Sequence, residues 1–126
     1  MKDAGLDPGD LEWMLTASCI QCGRDAAAQL LDRPDRPTGF ICNFDDIAAG
    51  VLAELRAAGR AVPGEAAVVG YDNSDLAEAL DLTSIHQPFA ETGRIAISLL
   101  VAAMDGTVDS THQISLKPRL ATGGTS

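Results

Sequence analysis

The run Val62-Pro63-Gly64-Glu65-Ala66-Ala67-Val68-Val69-Gly70-Tyr71-Asp72-Asn73 decides the fold. Val62-Pro63-Gly64 reads as a turn. The nearly continuous apolar stretch 66–71 then fits a strand buried on both faces, the pattern of a parallel sheet covered by helices on each side. Immediately upstream, residues 45–58 form the clearest helix. Ile47, Val51, Leu52 and Leu55 make one apolar stripe, and Gly59 supplies the stop. Residues 38–43 read as the strand before that helix. Downstream, a short helix over 74–80 leads to a strand over 83–87. Pro88 suits the first turn of a last helix, which runs to about 105 and stops at Gly106.

Further out, residues 11–16 are a short apolar run expected as a strand. Residues 23–32 carry Ala26, Ala27, Leu30 and Leu31 at helical spacing, and Arg33-Pro34-Asp35-Arg36-Pro37 breaks that helix. Residues 113–116 and 119–122 read as short closing strands. Strands alternating with helices predict an α/β fold, a mainly parallel sheet flanked by helices. Ligands in such sheets bind beyond the carboxyl ends of the strands. Those ends are residues 18–22, 43–46, 71–74 and 86–89, so the pattern already proposes a small-molecule cleft.

Composition narrows the function classes. With 46% hydrophobic but only 4% aromatic residues, the core must be built from Ala, Leu, Ile and Val. The net charge of -9, with only 9 Lys and Arg, leaves no footprint for phosphate neutralisation, so this segment is not expected to bind nucleic acid itself. The first fifteen residues lack the pattern of an export signal, and the apolar stretch 95–104 is too short to span a bilayer. A cytoplasmic location without membrane attachment is the expectation. Three cysteines cannot make a complete disulfide framework, and reduced thiols are expected.

The segment 36–89 is similar to LacI-family transcription regulators. The matching residues are Arg36-Pro37-Thr38-Gly39-Phe40, Asp45 with Ile47-Ala48-Ala49-Gly50, Leu55 with Gly59, and Val62-Pro63. They continue through Val68-Val69-Gly70-Tyr71-Asp72-Asn73, Thr83, and Ile85-His86-Gln87-Pro88. Gly93 and Leu99-Leu100 extend the pattern, with weaker register back to Gly5 and forward to Leu120. The resemblance implies the second lobe of a type I periplasmic-binding-protein-like effector domain, truncated. Residues 1–86 would be that lobe, 87–106 a crossover and a helix belonging to the first lobe, and 107–126 the closing strands. The helix-turn-helix head and most of the first lobe would be absent.

The same resemblance implies site residues. Asp72 matches a ligand carboxylate, with Asn73 beside it, and ligand contact is the favoured reading over an N-cap of the next helix. Gln87, where the chain crosses between lobes, both donates and accepts, as hydroxyls require, or else bonds backbone. Phe89 would stand at the cleft mouth and stack on a sugar, or make an ordinary core contact. Phe44 replaces an Asn common in the family, and Asn43, one residue earlier on a strand, points the other way. Ser18 replaces a stacking aromatic, and Gly123-Gly124 replaces a motif that usually carries Arg. Phe44 points to a less polar effector, and the departures together imply an unusual effector or a decayed gene. The outer face of helix 45–58, with Ala49, Ala53 and Arg56, together with Leu76, Ala79 and Leu80, would form a homodimer; otherwise it is a solvated face.

Cys19-Ile20-Gln21-Cys22 opens a helix, and with Cys42 and His86 could in principle hold Zn²⁺, but the usual metal signature has two ligand pairs. Ordinary small core residues are the simpler reading, and no metal or cofactor is expected. The cleft ends offer Asp45, Asp46, Asp72 and His86, without nucleophile–base pairing or a phosphate loop at motif spacing, so no catalysis is expected. The resemblance implies a sensor of a small-molecule effector, a sugar or related metabolite, whose binding closes two lobes and alters operator affinity through the separate head. The rival is a sugar-type solute-binding protein of the same fold. Sequence upstream of Met1 separates the two: a helix-turn-helix marks a regulator, a signal peptide a transport component.

Overall fold

The computed structural model describes residues 7, 9, 11–109 and 111–126. The weak register at Gly5 and the beginning of the expected second lobe fall outside these residues. The order of elements is α1 (Ile20–Leu31), β1 (Gly39–Ile41), α2 (Asp45–Ala57), β2 (Ala67–Asp72), α3 (Asp75–Ala79), β3 (Thr83–His86), α4 (Phe89–Met104) and β4 (Arg119–Ala121). One sheet runs β1-β2-β3-β4. The first three strands are parallel, with Gly39 opposite Ala67 and Val69 opposite Thr83, and β4 closes antiparallel with Ile85 opposite Leu120. The sheet is mixed, and its parallel part is the part the apolar runs anticipated.

Aliphatic side chains fill the core, as the lack of aromatics requires. Ala27 from α1, Ala48, Val51 and Leu55 from α2, Val68 from β2 and Leu82 are all buried. Helices α1 and α2 meet almost backbone to backbone. A Cβ at Gly23 would overlap the carbonyl of Ile47, and one at Gly50 would overlap the carbonyl of Ile20. Glycine is needed at both places for that approach. Gly59 and Gly106, each at positive φ, end α2 and α4 as the sequence reading expected.

Two expected strands are not strands. Residues 11–16 form no ladder, and Trp13 and Leu15 are 81% and 99% exposed. Residues 113–116 are likewise irregular. Apolar patterning supplies a face to bury but not a neighbour to bond, and a strand exists only with a ladder partner. Helix α4 is also unusual, since none of its 16 residues is buried. One side of it, with Ile95 and Leu99, faces a hollow shared with Ile114 and Leu116. Ile97, Leu100, Val101 and Met104 are exposed on the helix surface. Among the described residues, no helix is long and apolar enough to cross a membrane.

The cysteines correct a further expectation. Cys19 and Cys22 are joined in a disulfide, and only Cys42 is free. Counting cysteines excludes a complete set of pairs but not one pair within the first turn of a helix. Cys42 is buried, and its thiol is pushed up to about 11, first by burial and then by the nearby Asp45 carboxylate. Among the described residues, no three His, Cys, Asp or Glu side chains converge as metal ligands, so Cys19, Cys22, Cys42 and His86 do not form a zinc set.

Candidate functional site: a polar cleft at the carboxyl ends of the parallel strands

Strands β2 and β3 end side by side, with Asp72 opposite His86 in the ladder. Their parallel direction brings the residues after both strands to one edge of the sheet. Gln87 Nε2 donates to Asp72 Oδ1 at 2.7 Å, and the Asn73 side-chain amide lies 3.4 Å from His86 Nδ1. Pro88, Phe89, Ala90 and Glu91 turn away from the sheet and wall the other side. Together with Ser74 these residues line a cavity of about 480 Å³. That is within the size range of small-molecule sites, roughly 300–1,000 Å³.

The groups lining this cavity can both accept and donate hydrogen bonds. A carboxylate accepts several hydrogen bonds, and among the described residues only Gln87 reaches Asp72, at one of its two oxygens. The remaining acceptor capacity, the Gln87 and Asn73 amides and the His86 imidazole are polar groups on one floor. Phe89 is 59% exposed and offers an apolar face above them. Asp72 does not cap α3. Ser74 stands at the N-cap, and no side chain caps that helix. Asp72 and Asn73 instead have φ of 111° and 55°, the left-handed region that L-residues seldom occupy.

The structure therefore brings Asp72, Asn73, Gln87 and Phe89 together. It does not bring Phe44 or Ser18 to this cavity. Phe44 is the N-cap of α2, partly exposed, and Ser18 is an exposed bend residue before α1. Of the residues expected on the outer face of α2 and α3, Arg56 is exposed and Ala53 and Leu76 are half-buried. Ala49 is buried, and Leu80 packs against the chain's own core. Sequence reasoning missed Ser74 and Ser84, which underlie the cleft, and the buried role of Asp45. Asp45 accepts hydrogen bonds from Ser74 N, Ser74 Oγ and Ser84 Oγ at 2.7, 2.8 and 2.6 Å. The available signal was Gly70, where a Cβ would overlap the Asp45 carboxylate.

The periplasmic binding protein-like domain family matches residues 1–126. The chain is 41% identical over 89 residues to the HTH-type transcriptional repressor CytR of Escherichia coli (strain K12), covering 69% of this chain and 26% of that protein. It is 36% identical over 126 residues to the ribose operon repressor of the same strain, covering 98% of this chain and 38% of that protein. A solved LacI family transcriptional regulator from Enterococcus faecium, with bound ribose, superimposes with a TM-score of 0.84 at 27% identity. That match covers 99% of this chain and 47% of the other. The chain thus spans between about a quarter and a half of the proteins it resembles.

Proposed function

The chain belongs to the periplasmic-binding-protein-like domain family found in LacI-family regulators, and on that premise we propose that it is the effector-sensing part of a cytoplasmic transcription regulator. The ligand is a small polyhydroxylated molecule, a sugar or related metabolite. The single observation that carries this reading is the Asp72–Gln87 pair at the ends of adjacent parallel strands, open toward a cavity with Phe89 at its side. Asp72 and Gln87 accept from and donate to ligand hydroxyls, Asn73 adds a second amide, and Phe89 covers an apolar ring face. Phe44 and Ser18 lie outside this cavity and hold no ligand in this reading. The domain has no catalytic role.

Residues 1–86 act as the second lobe, 87–106 cross to a helix of the first lobe, and 107–126 return as closing strands. Effector binding draws the lobes together about the crossing at Gln87-Pro88 and changes the affinity of a DNA-binding head for its operator. The regulator is a homodimer through the outer surface of α2 and α3. Ala53, Arg56 and Leu76 form that surface, with Ala49 and Leu80 beneath it.

The test is Asp72→Ala in a full-length regulator carrying this domain, with operator binding measured against a panel of pentoses, hexoses and disaccharides. The effector response should vanish while DNA binding without effector stays intact. An unchanged response would show that Asp72 does not hold the ligand.

A further inference from the structure

We propose that Asp45 is a positioning residue for the effector cleft: without touching ligand, it fixes the unusual turn that presents Asp72 and Asn73. This rests on the reading of the cleft given above. Asp45 is the first residue of α2 and is 2% exposed. Its carboxylate reaches away from its own helix to two other elements. Oδ2 accepts from both the backbone N–H and the hydroxyl of Ser74, in the β2–α3 turn. Oδ1 accepts from the hydroxyl of Ser84, which is fully buried in β3. That Ser84 oxygen in turn accepts the backbone N–H of Asn73 at 3.0 Å. The amides of residues 73 and 74, which follow Asp72 directly, are thus both tied to one carboxylate, one directly and one through a hydroxyl.

The turn needs such an anchor. Asp72 and Asn73 both carry positive φ, and neither is glycine. A backbone in this region persists only where its surroundings over-determine it. Released from Asp45, the turn relaxes toward ordinary φ and carries the Asp72 carboxylate away from Gln87. The fold reserves room for the anchor as well. A side chain at Gly70 would meet the Asp45 carboxylate and lie 2.9 Å from Leu82 Cδ2. Any residue larger than glycine there would displace the carboxylate from the turn.

Backbone amide hydrogen exchange of the 126-residue chain, read by NMR on Asp45→Ala, Asp45→Asn and Ser84→Ala, tests the proposal. Losing the acceptor should speed exchange at Asn73 and Ser74 about 10- to 100-fold in Asp45→Ala, with Val68 and Val69 in the same strand unchanged. Asp45→Asn keeps a carbonyl for Ser74 and should restore most of the protection at that residue. Ser84→Ala should free Asn73 alone. Faster exchange spread evenly along β2, or unchanged exchange at Asn73 and Ser74, overturns the positioning role. If Asp45→Ala does not fold, Asp45→Ser, which keeps a polar side chain but draws its oxygen back by one bond from Ser74 and Ser84, carries the same contrast. Titration with D-ribose, followed at the Gln87 side-chain amide, separates this inference from the sugar reading. A wild-type chain unaffected by ribose counts against ribose as ligand, and the exchange pattern still decides the role of Asp45.

Discussion

Replacing Thr125 with Val should remove a clamp at the end of the sheet opposite the cleft. Thr125 is 2% exposed and lies four residues after β4. Its hydroxyl donates to the carbonyl of Val68 at 2.7 Å and accepts the backbone N–H of Thr83 at 2.9 Å, while its own carbonyl accepts from the N–H of Val68 at 2.8 Å. The last residues therefore bind the starting ends of both β2 and β3. Valine keeps the shape and loses the hydroxyl. The N–H of Thr83, itself buried, is then left without its acceptor, and the Val68 carbonyl loses a donor. An orphaned buried donor costs roughly 1–3 kcal/mol and a lost hydrogen bond roughly 1 kcal/mol, so about 2–4 kcal/mol in all. Domains of this size have about 5–15 kcal/mol in total, and the melting temperature should fall by roughly 10 °C. Thr125→Ser keeps both bonds and loses only a methyl group, at about 1 kcal/mol. Urea and thermal melts of the three proteins, followed by circular dichroism at 222 nm, give the comparison. If Val is tolerated as well as Ser, the hydroxyl is not a clamp and the reasoning fails.

Two further outcomes follow from other parts of the molecule. Exposed Ile97, Leu100, Val101 and Met104 on α4 should drive association as concentration rises, since each such side chain is worth roughly 1.5–3 kcal/mol when buried; light scattering should show dimers or larger species, reduced by Leu100→Glu, whereas a monomer at high concentration would show that α4 tolerates water. Cys42 should not react with a thiol reagent at pH 8 in the native chain, yet without reductant the unfolded chain should give one thiol; because its folded value of about 11 lies above the ordinary 9.0, stability should be full below pH 9, fall by roughly 2 kcal/mol as pH rises toward 11, and lose that slope in Cys42→Ala.

The elements with their own internal periodicity could be read from sequence, and those defined by distant partners could not. The stripe Ile47, Val51, Leu55 placed α2 within a residue of its ends, because a helix bonds to itself. Residues 66–71 placed β2 because burial on both faces leaves an unmistakable composition. Residues 11–16 carry the same apolar character but lack a neighbouring strand, and no local pattern reports that. In the cleft, Asp72 and Gln87 were each visible as polar residues at strand ends. Their hydrogen bond to one another needs the parallel pairing of β2 with β3, and no local pattern reports that pairing. Asp45 was hidden for a different reason. An acidic residue opening a helix has an ordinary local role there, and its partners Ser74 and Ser84 lie 29 and 39 residues away. Thr125 was hidden in the same way, since its partners Val68 and Thr83 lie 57 and 42 residues away.

The pairing of His86 with Arg119 has a consequence for how this domain can be cut and rejoined. The chain leaves the sheet just after one of these residues and re-enters at the other, so residues 87–118 start and finish at a single rung. Topologically they are an insertion in a β-hairpin. A two-residue turn of the Asn-Gly kind could bridge β3 to β4 directly and keep the ladder, including the returning strand that delivers Thr125 to its place. Truncation after His86 would lose that strand along with the excursion. Excision keeps it, and a minimal sheet made this way would allow the domain to be fused, permuted or recombined with other excursions while its hydrogen-bonded frame stays whole.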